Sequence, residues 1–155
     1  MLEDKNNIID LSITSRRKFT IDGDENRILA LDISDMGVLK RLEEALPQLQ
    51  TMANQAIKEL ASKKDDDSLS SLAETLTKID KEMREKIDYI FDADVSRTCA
   101  PSGTMYDPYN GRFRFEHIME VISGLYAENI TKEFRLMSKR TAKHTSKYTK
   151  GKKNV

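Results

Sequence analysis

Leu69-Ser70-Ser71-Leu72-Ala73-Glu74-Thr75-Leu76-Thr77-Lys78-Ile79-Asp80-Lys81-Glu82-Met83-Arg84-Glu85-Lys86-Ile87-Asp88-Tyr89-Ile90 decides the fold. Its apolar residues Leu69, Leu72, Leu76, Ile79, Met83, Ile87 and Ile90 recur every three or four positions, the period of one helical face. Ser68 is placed to cap this helix, and Asp65, Asp66 and Asp67 supply the negative charge that a helix N-terminus favours. Upstream, Leu39, Leu42, Leu46, Leu49, Ala53, Ala56 and Leu60 repeat the spacing after Ser34 or Asp35, either of which can cap. Pro47 has no amide hydrogen to donate, so a kink or short break is expected near Leu46. Two seams of similar length joined by a short polar link predict an antiparallel helical hairpin, with a sustained parallel coiled coil as the lesser alternative.

Before these helices the period changes to two. Ile9, Leu11 and Ile13 alternate, as do Phe19 and Ile21, and Ile28 to Ile33 is rich in β-favouring residues. Asp22-Gly23-Asp24-Glu25-Asn26 between them is a turn, so a small antiparallel hairpin or three-stranded element is expected. After the helices, residues 92–112 are dense in Pro, Gly, Asp and Asn and predict a long structured loop. Helical spacing returns in Phe115, Ile118, Ile122, Leu125, Ile130, Phe134 and Met137, then fades. The chain is thus expected to be α+β and predominantly α, an N-terminal β-hairpin packed on three main amphipathic helices. Residues 1–137 form one domain, β-rich over 8–33 and helical over 35–137, and residues 138–155 a basic, flexible tail.

Charge sharpens this picture. The 155 residues balance to a net charge of zero, yet Lys132 to Val155 carries nine basic residues against the single acid Glu133. The surplus of eight at this end leaves the rest of the chain at −8, a dipolar arrangement suited to self-association or to docking on an acidic partner. A charged share of 34%, a hydrophobic share of 38% and the absence of Trp favour long exposed helices over a compact sandwich. Cys99 is the sole cysteine and cannot form an internal disulfide, which suits a reducing compartment. The start Met1-Leu2-Glu3-Asp4-Lys5 lacks a basic segment followed by an apolar run, and no stretch nears 18 apolar residues. A cytoplasmic protein is the expectation.

No constellation carries clear chemistry. A calcium loop starting at Asp22 needs glycine at its sixth position and an acid at its twelfth, where this chain has Arg27 and Ile33. His117 and Glu120 lie one turn apart, but bundle metal sites use Glu-x-x-His pairs from two helices, and this is one pair in the reverse order. Cys99 with His117 is the sole nucleophile and base pairing to name, and nothing beside Cys99 matches a cysteine-protease signature. The six glycines are scattered, so no phosphate loop forms, and neither a metal nor a cofactor is expected.

Arg112-Phe113-Arg114-Phe115 interleaves guanidinium groups with rings, a pattern compatible with stacking on single-stranded nucleic acid, although helix entries commonly anchor to a core in this way. Met52, Met83, Met119 and Met137 have flexible thioethers that adapt to varied partners or fill a core. With Phe113, Phe115 and the basic Arg140, Lys143 and Lys147, they are the candidate partner-binding residues.

The stretch Phe19-Thr20-Ile21-Asp22-Gly23-Asp24-Glu25-Asn26-Arg27-Ile28-Leu29-Ala30-Leu31-Asp32-Ile33-Ser34-Asp35-Met36 combines with Ile90-Phe91-Asp92-Ala93-Asp94-Val95, Gly103-Thr104-Met105-Tyr106-Asp107-Pro108 and Ala142-Lys143-His144-Thr145-Ser146-Lys147-Tyr148. Together they resemble the tail assembly chaperones of long-tailed bacteriophages, over most of residues 19 to 149. The resemblance implies a non-enzymatic helper that coats the tape measure protein, recruits tail tube subunits and leaves the finished tail. It also implies the host cytoplasm as location and a possible longer form made by frameshifting. A virion structural role, as a tail tube or head-tail joining subunit, is the alternative, and a nucleic-acid-binding accessory role ranks below it.

Overall fold

The computed structural model describes residues 7–11, 16–62 and 69–153, with side chains described as far as Lys143. Strands β1 (Arg17–Ile21) and β2 (Asp24–Leu31) pair antiparallel. Asp22 and Gly23 between them adopt φ values of 55° and 72°, the left-handed pair that lets a two-residue turn match the strand twist. Phe19 stands opposite Leu29, and the register slips between Thr20 and Ile21, a bulge that re-aims the strand end. Leu29 and Leu31 point into the core together with Ile33 just beyond the strand, the period-two pattern of a half-buried strand. The third strand read from residues 9–13 does not form at Ile9 and Leu11, which lie in irregular chain with 82% and 77% of their surface exposed, and Ile13 lies outside the described residues.

Helix α1 (Gly37–Ala61) follows. The N-cap position is Met36, whose side chain makes no capping bond, so neither Ser34 nor Asp35 is the N-cap expected from the sequence; Asp35, one residue earlier, accepts the Gly37 amide on Oδ1 at 2.9 Å, and the Ser34 hydroxyl accepts from Asn129 Nδ2 at 3.2 Å. No break occurs at Pro47. The hydrogen bond that this proline forfeits belongs to Glu43, and both residues face solvent, where water replaces the missing donor. The buried face is Val38, Ala45, Leu49, Ala53 and Ala56. It shares Leu49, Ala53 and Ala56 with the seam read in the sequence, with Leu42 half-buried, but Leu39, Leu46 and Leu60 of that seam remain 54%, 41% and 51% exposed.

Helix α2 (Leu69–Phe91) buries Ile79, Met83, Ile87, Ile90 and Phe91, while Leu69 near its start is exposed. Arg41 near the start of α1 donates from Nε to the Ile90 carbonyl at the end of α2, so the two helices run antiparallel as the hairpin reading requires. Ser68 and Asp65 to Asp67, read as cap and counter-charge, lie outside the described residues.

The expected loop over 92–112 holds a short helix α3 (Val95–Cys99) and a ladder of β3 (Pro108–Tyr109) with β4 (Arg112–Phe113). Helix α4 (Arg114–Lys153) closes the core with Phe115, Ile118, Met119, Ile122 and Tyr126. The Tyr126 ring lies 5.6 Å from that of Phe91, and Asn129 Nδ2 donates to the Ile33 carbonyl at 3.3 Å. Past that contact every side chain from Thr131 to Lys143 is exposed. The fraying expected from residue 138 is therefore corrected: the backbone stays helical to Lys153, and residues 131–153 extend α4 by about 34 Å at the helical rise per residue.

Candidate docking site

Five arginines converge on the carbonyls between residues 90 and 103. Arg41 holds Ile90 at 2.8 Å, Arg16 holds Asp92 at 3.0 Å, and Arg27 holds Thr98 and Cys99 at 3.0 and 2.8 Å. Arg84 donates to Ser96, Ala100 and Gly103 at 3.1, 2.8 and 3.0 Å, and Arg114 to Ser102 at 2.7 Å. These carbonyls include those that end α2 and α3, which have no helical donor and carry the negative end of the helix dipole. Cationic planar donors satisfy them, Arg84 with three bonds, Arg27 with two and the others with one each.

Carboxylates complete the framework. Asp88 accepts the Ser96 amide and hydroxyl at 2.8 and 3.1 Å, and burial pushes its carboxyl above the ordinary value against the pull of those two bonds. Asp80 bridges Arg84 at 2.8 Å and the Met105 amide at 2.7 Å. Gly103 has φ +76°, and a Cβ there would collide with the Arg114 guanidinium and the Asp107 carboxylate, so the close approach requires glycine.

A groove of about 730 Å³ opens beside this framework. Thr20 and Ile21 of β1, Ile118, Val121 and Ile122 of α4, and the guanidiniums of Arg27, Arg112 and Arg114 line it. Arg112 is paired with Glu120 and donates from Nη2 to His117 Nδ1 at 3.0 Å, which makes that nitrogen an acceptor and assigns the ring proton to Nε2. The Arg112 guanidinium holds the Glu120 carboxyl below its ordinary value. The Arg114 guanidinium lies 5.9 Å from the Tyr109 ring centroid. Cys99 and His117, the pair named from sequence, both line this groove. Burial pushes the Cys99 thiol up to about 11, with Arg27 opposing, so it stays protonated at neutral pH. Among the described residues no group of three or more His, Cys, Asp or Glu could hold a metal ion.

The candidate partner-binding residues divide. Met83, Phe115 and Met119 are 0%, 1% and 5% exposed; they are core residues and cannot meet a client, a correction in favour of core filling. Phe113 is half-buried, with its ring stacked at 5.9 Å on Phe115. Met52 is half-buried at a shallower pocket of about 320 Å³ between α1 and α2, beside Glu82, Glu85 and Tyr89. Met137, Arg140 and Lys143 are exposed together on distal α4; Lys147 lies on the same helix, with its side chain outside the description. The set therefore reduces to two surfaces, distal α4 and the Met52 pocket.

Sequence reading missed two features. The bracing arginines left no signal, because an arginine aimed at a carbonyl looks the same in a sequence as one in water. Leu39, Leu46, Ile57 and Leu60, read in part as core, form an exposed apolar stripe on α1. Their spacings of seven, eleven and three residues keep them in line along a helix. Comparison with family models, curated proteins and solved structures gives no match to this chain. Among the described residues no helix is long and apolar enough to cross a membrane.

Proposed function

We propose that the chain is a non-enzymatic tail assembly chaperone of a long-tailed bacteriophage, binding the tape measure protein and helping to recruit tail tube subunits in the host cytoplasm. The observation that carries this reading is the distal part of α4. Phe134 and Met137, one turn apart on a helix that has left the core, are 48% and 53% exposed with Lys132, Arg135, Lys139, Arg140 and Lys143 around them, while Leu136, 52% exposed, lies off their face. An apolar strip within a basic field receives amphipathic segments of another chain: the apolar groups supply affinity, and the charges supply orientation and salt-dependent release. The α1 stripe offers a second landing surface of the same kind. The resemblance over residues 19 to 149 supplies the client's identity.

Co-expression with the tape measure protein from the same tail gene cluster tests the proposal. The protein should co-purify with that client and be missing from purified particles by mass spectrometry. Stoichiometric presence in virions would instead favour a structural subunit.

A further inference from the structure

Distal α4 carries a second surface besides Phe134 and Met137. Lys132, Arg135, Lys139 and Lys143 follow one another at intervals of three, four and four residues, so at about 3.6 residues per turn they form one row on the side turned from those two apolar groups. All four are exposed. Among the described residues none of them forms an ion pair with a carboxylate, the nearby Glu128 and Glu133 included. The row covers about 17 Å of helix axis at the helical rise per residue.

The acidic body does not cancel this charge. Lys139 and Lys143 lie about 15 and 21 Å along the helix past Asn129, the last buried residue, whereas exposed charges are screened over about 8 Å at physiological ionic strength. The makeup of the row selects its partner. Leu136, at its edge, is the one large apolar group there, so an amphipathic protein segment finds little area to bury, and exposed ion pairs formed singly contribute little. A nucleic acid duplex gains affinity from charge alone, because neutralising its phosphates, one per about 3.4 Å of each strand, releases condensed counterions. Single strands fit less well, since the row has no ring on which bases stack, and the rings read for that purpose, Phe113 and Phe115, stack on each other with Phe115 in the core. A helix about 10–12 Å across enters the major groove of DNA, about 12 Å wide, and not the deep, narrow one of duplex RNA.

We infer that the Lys132, Arg135, Lys139 and Lys143 row of α4 binds the phosphate backbone of duplex DNA. Phosphates carry no sequence information, so the contact is independent of base sequence. A polypeptide client on Phe134 and Met137 occupies the other side of the helix, and the inference does not rest on the tail-chaperone reading.

Fluorescence anisotropy of a labelled random-sequence DNA duplex, titrated with the full chain between about 50 and 200 mM KCl, tests it. Four phosphate contacts give a slope of about −3.6 in log affinity against log salt, a loss of roughly 150-fold over that range. Lys132→Ala/Arg135→Ala/Lys139→Ala/Lys143→Ala keeps good helix formers at all four positions, so circular dichroism should be unchanged while the slope flattens by about 3.6. Phe134→Ser/Met137→Ser should bind the duplex as the wild-type chain does. Absence of wild-type binding at the lowest salt, an unchanged slope in the fourfold variant, or loss of binding in Phe134→Ser/Met137→Ser overturns the inference. Displacement of the duplex by polyglutamate at equal charge concentration assigns the row to an acidic protein and overturns it as well.

Discussion

Arg84 sets the shape of the functional half of the molecule. It is 7% exposed, shares Asp80 as counter-ion and saturates three carbonyls that span residues 96–103. Removing it takes the side-chain donor from the Ala100 and Gly103 carbonyls, leaves Ser96 with the Ala100 amide alone and deprives the buried Asp80 of its counter-ion, so Arg84→Ala should lower the unfolding free energy by roughly 3 kcal/mol or more. Arg84→Lys should recover little, because one ammonium cannot reproduce the fork that reaches four oxygens. Urea titration monitored by circular dichroism measures both. Two other buried groups predict alkaline behaviour. Burial raises the Cys99 thiol from 9.0 to about 11 and the Tyr126 hydroxyl from 10.0 to about 12. Between each pair of values the unfolded chain has released a proton that the folded chain retains, so stability falls as pH rises through 9 to 12. Urea midpoints should decline across that range, and Cys99→Ala should remove the early part of the decline.

At the scale of elements, the sequence located α1, α2 and α4 and a turn after Ile21, read over residues 22–26 where only Asp22 and Gly23 form it and Asp24 already begins β2, because each depends on residues close in sequence. It located the buried face of α1 only in part, at Leu49, Ala53 and Ala56. Leu46 and Leu49 belong to one seam in the sequence, yet Leu49 is fully buried and Leu46 is 41% exposed. Leu49→Ala should therefore cost about 2–5 kcal/mol and Leu46→Ala well under 1 kcal/mol, a contrast that thermal or urea unfolding of the two variants resolves. Leu49, Ala53 and Ala56 were legible as the seam; the rotation of the face toward Val38 and Ala45 was not, because Ala45 counts weakly in a hydrophobic pattern while Leu39 and Leu46 count strongly. The site was less legible still. Arg27, Arg41 and Arg84 act on carbonyls dozens of residues away or on a loop whose path periodicity does not give. Distal α4 was read as a loose tail because its apolar residues thin out among lysines, whereas Lys and Arg are good helix formers that sustain the helix in water.

The whole molecule combines a braced core with surfaces the core leaves unused. Hairpin, α1, α2 and the first half of α4 satisfy one another, and the five-arginine framework fixes the connecting segment. Distal α4 and the α1 stripe keep large apolar side chains in solvent, and the −8 body faces its own compensating charge at the far end. Folding does not require these surfaces, which makes them separable from stability by mutation. The central claim is that exposed apolar residues on distal α4 receive another polypeptide. The most direct measurement is co-purification of the tape measure protein with Phe134→Asp/Met137→Asp compared with wild type, at matched urea midpoints. The account predicts that the double variant folds normally and loses the client; full retention of the client by a normally folded double variant would contradict it.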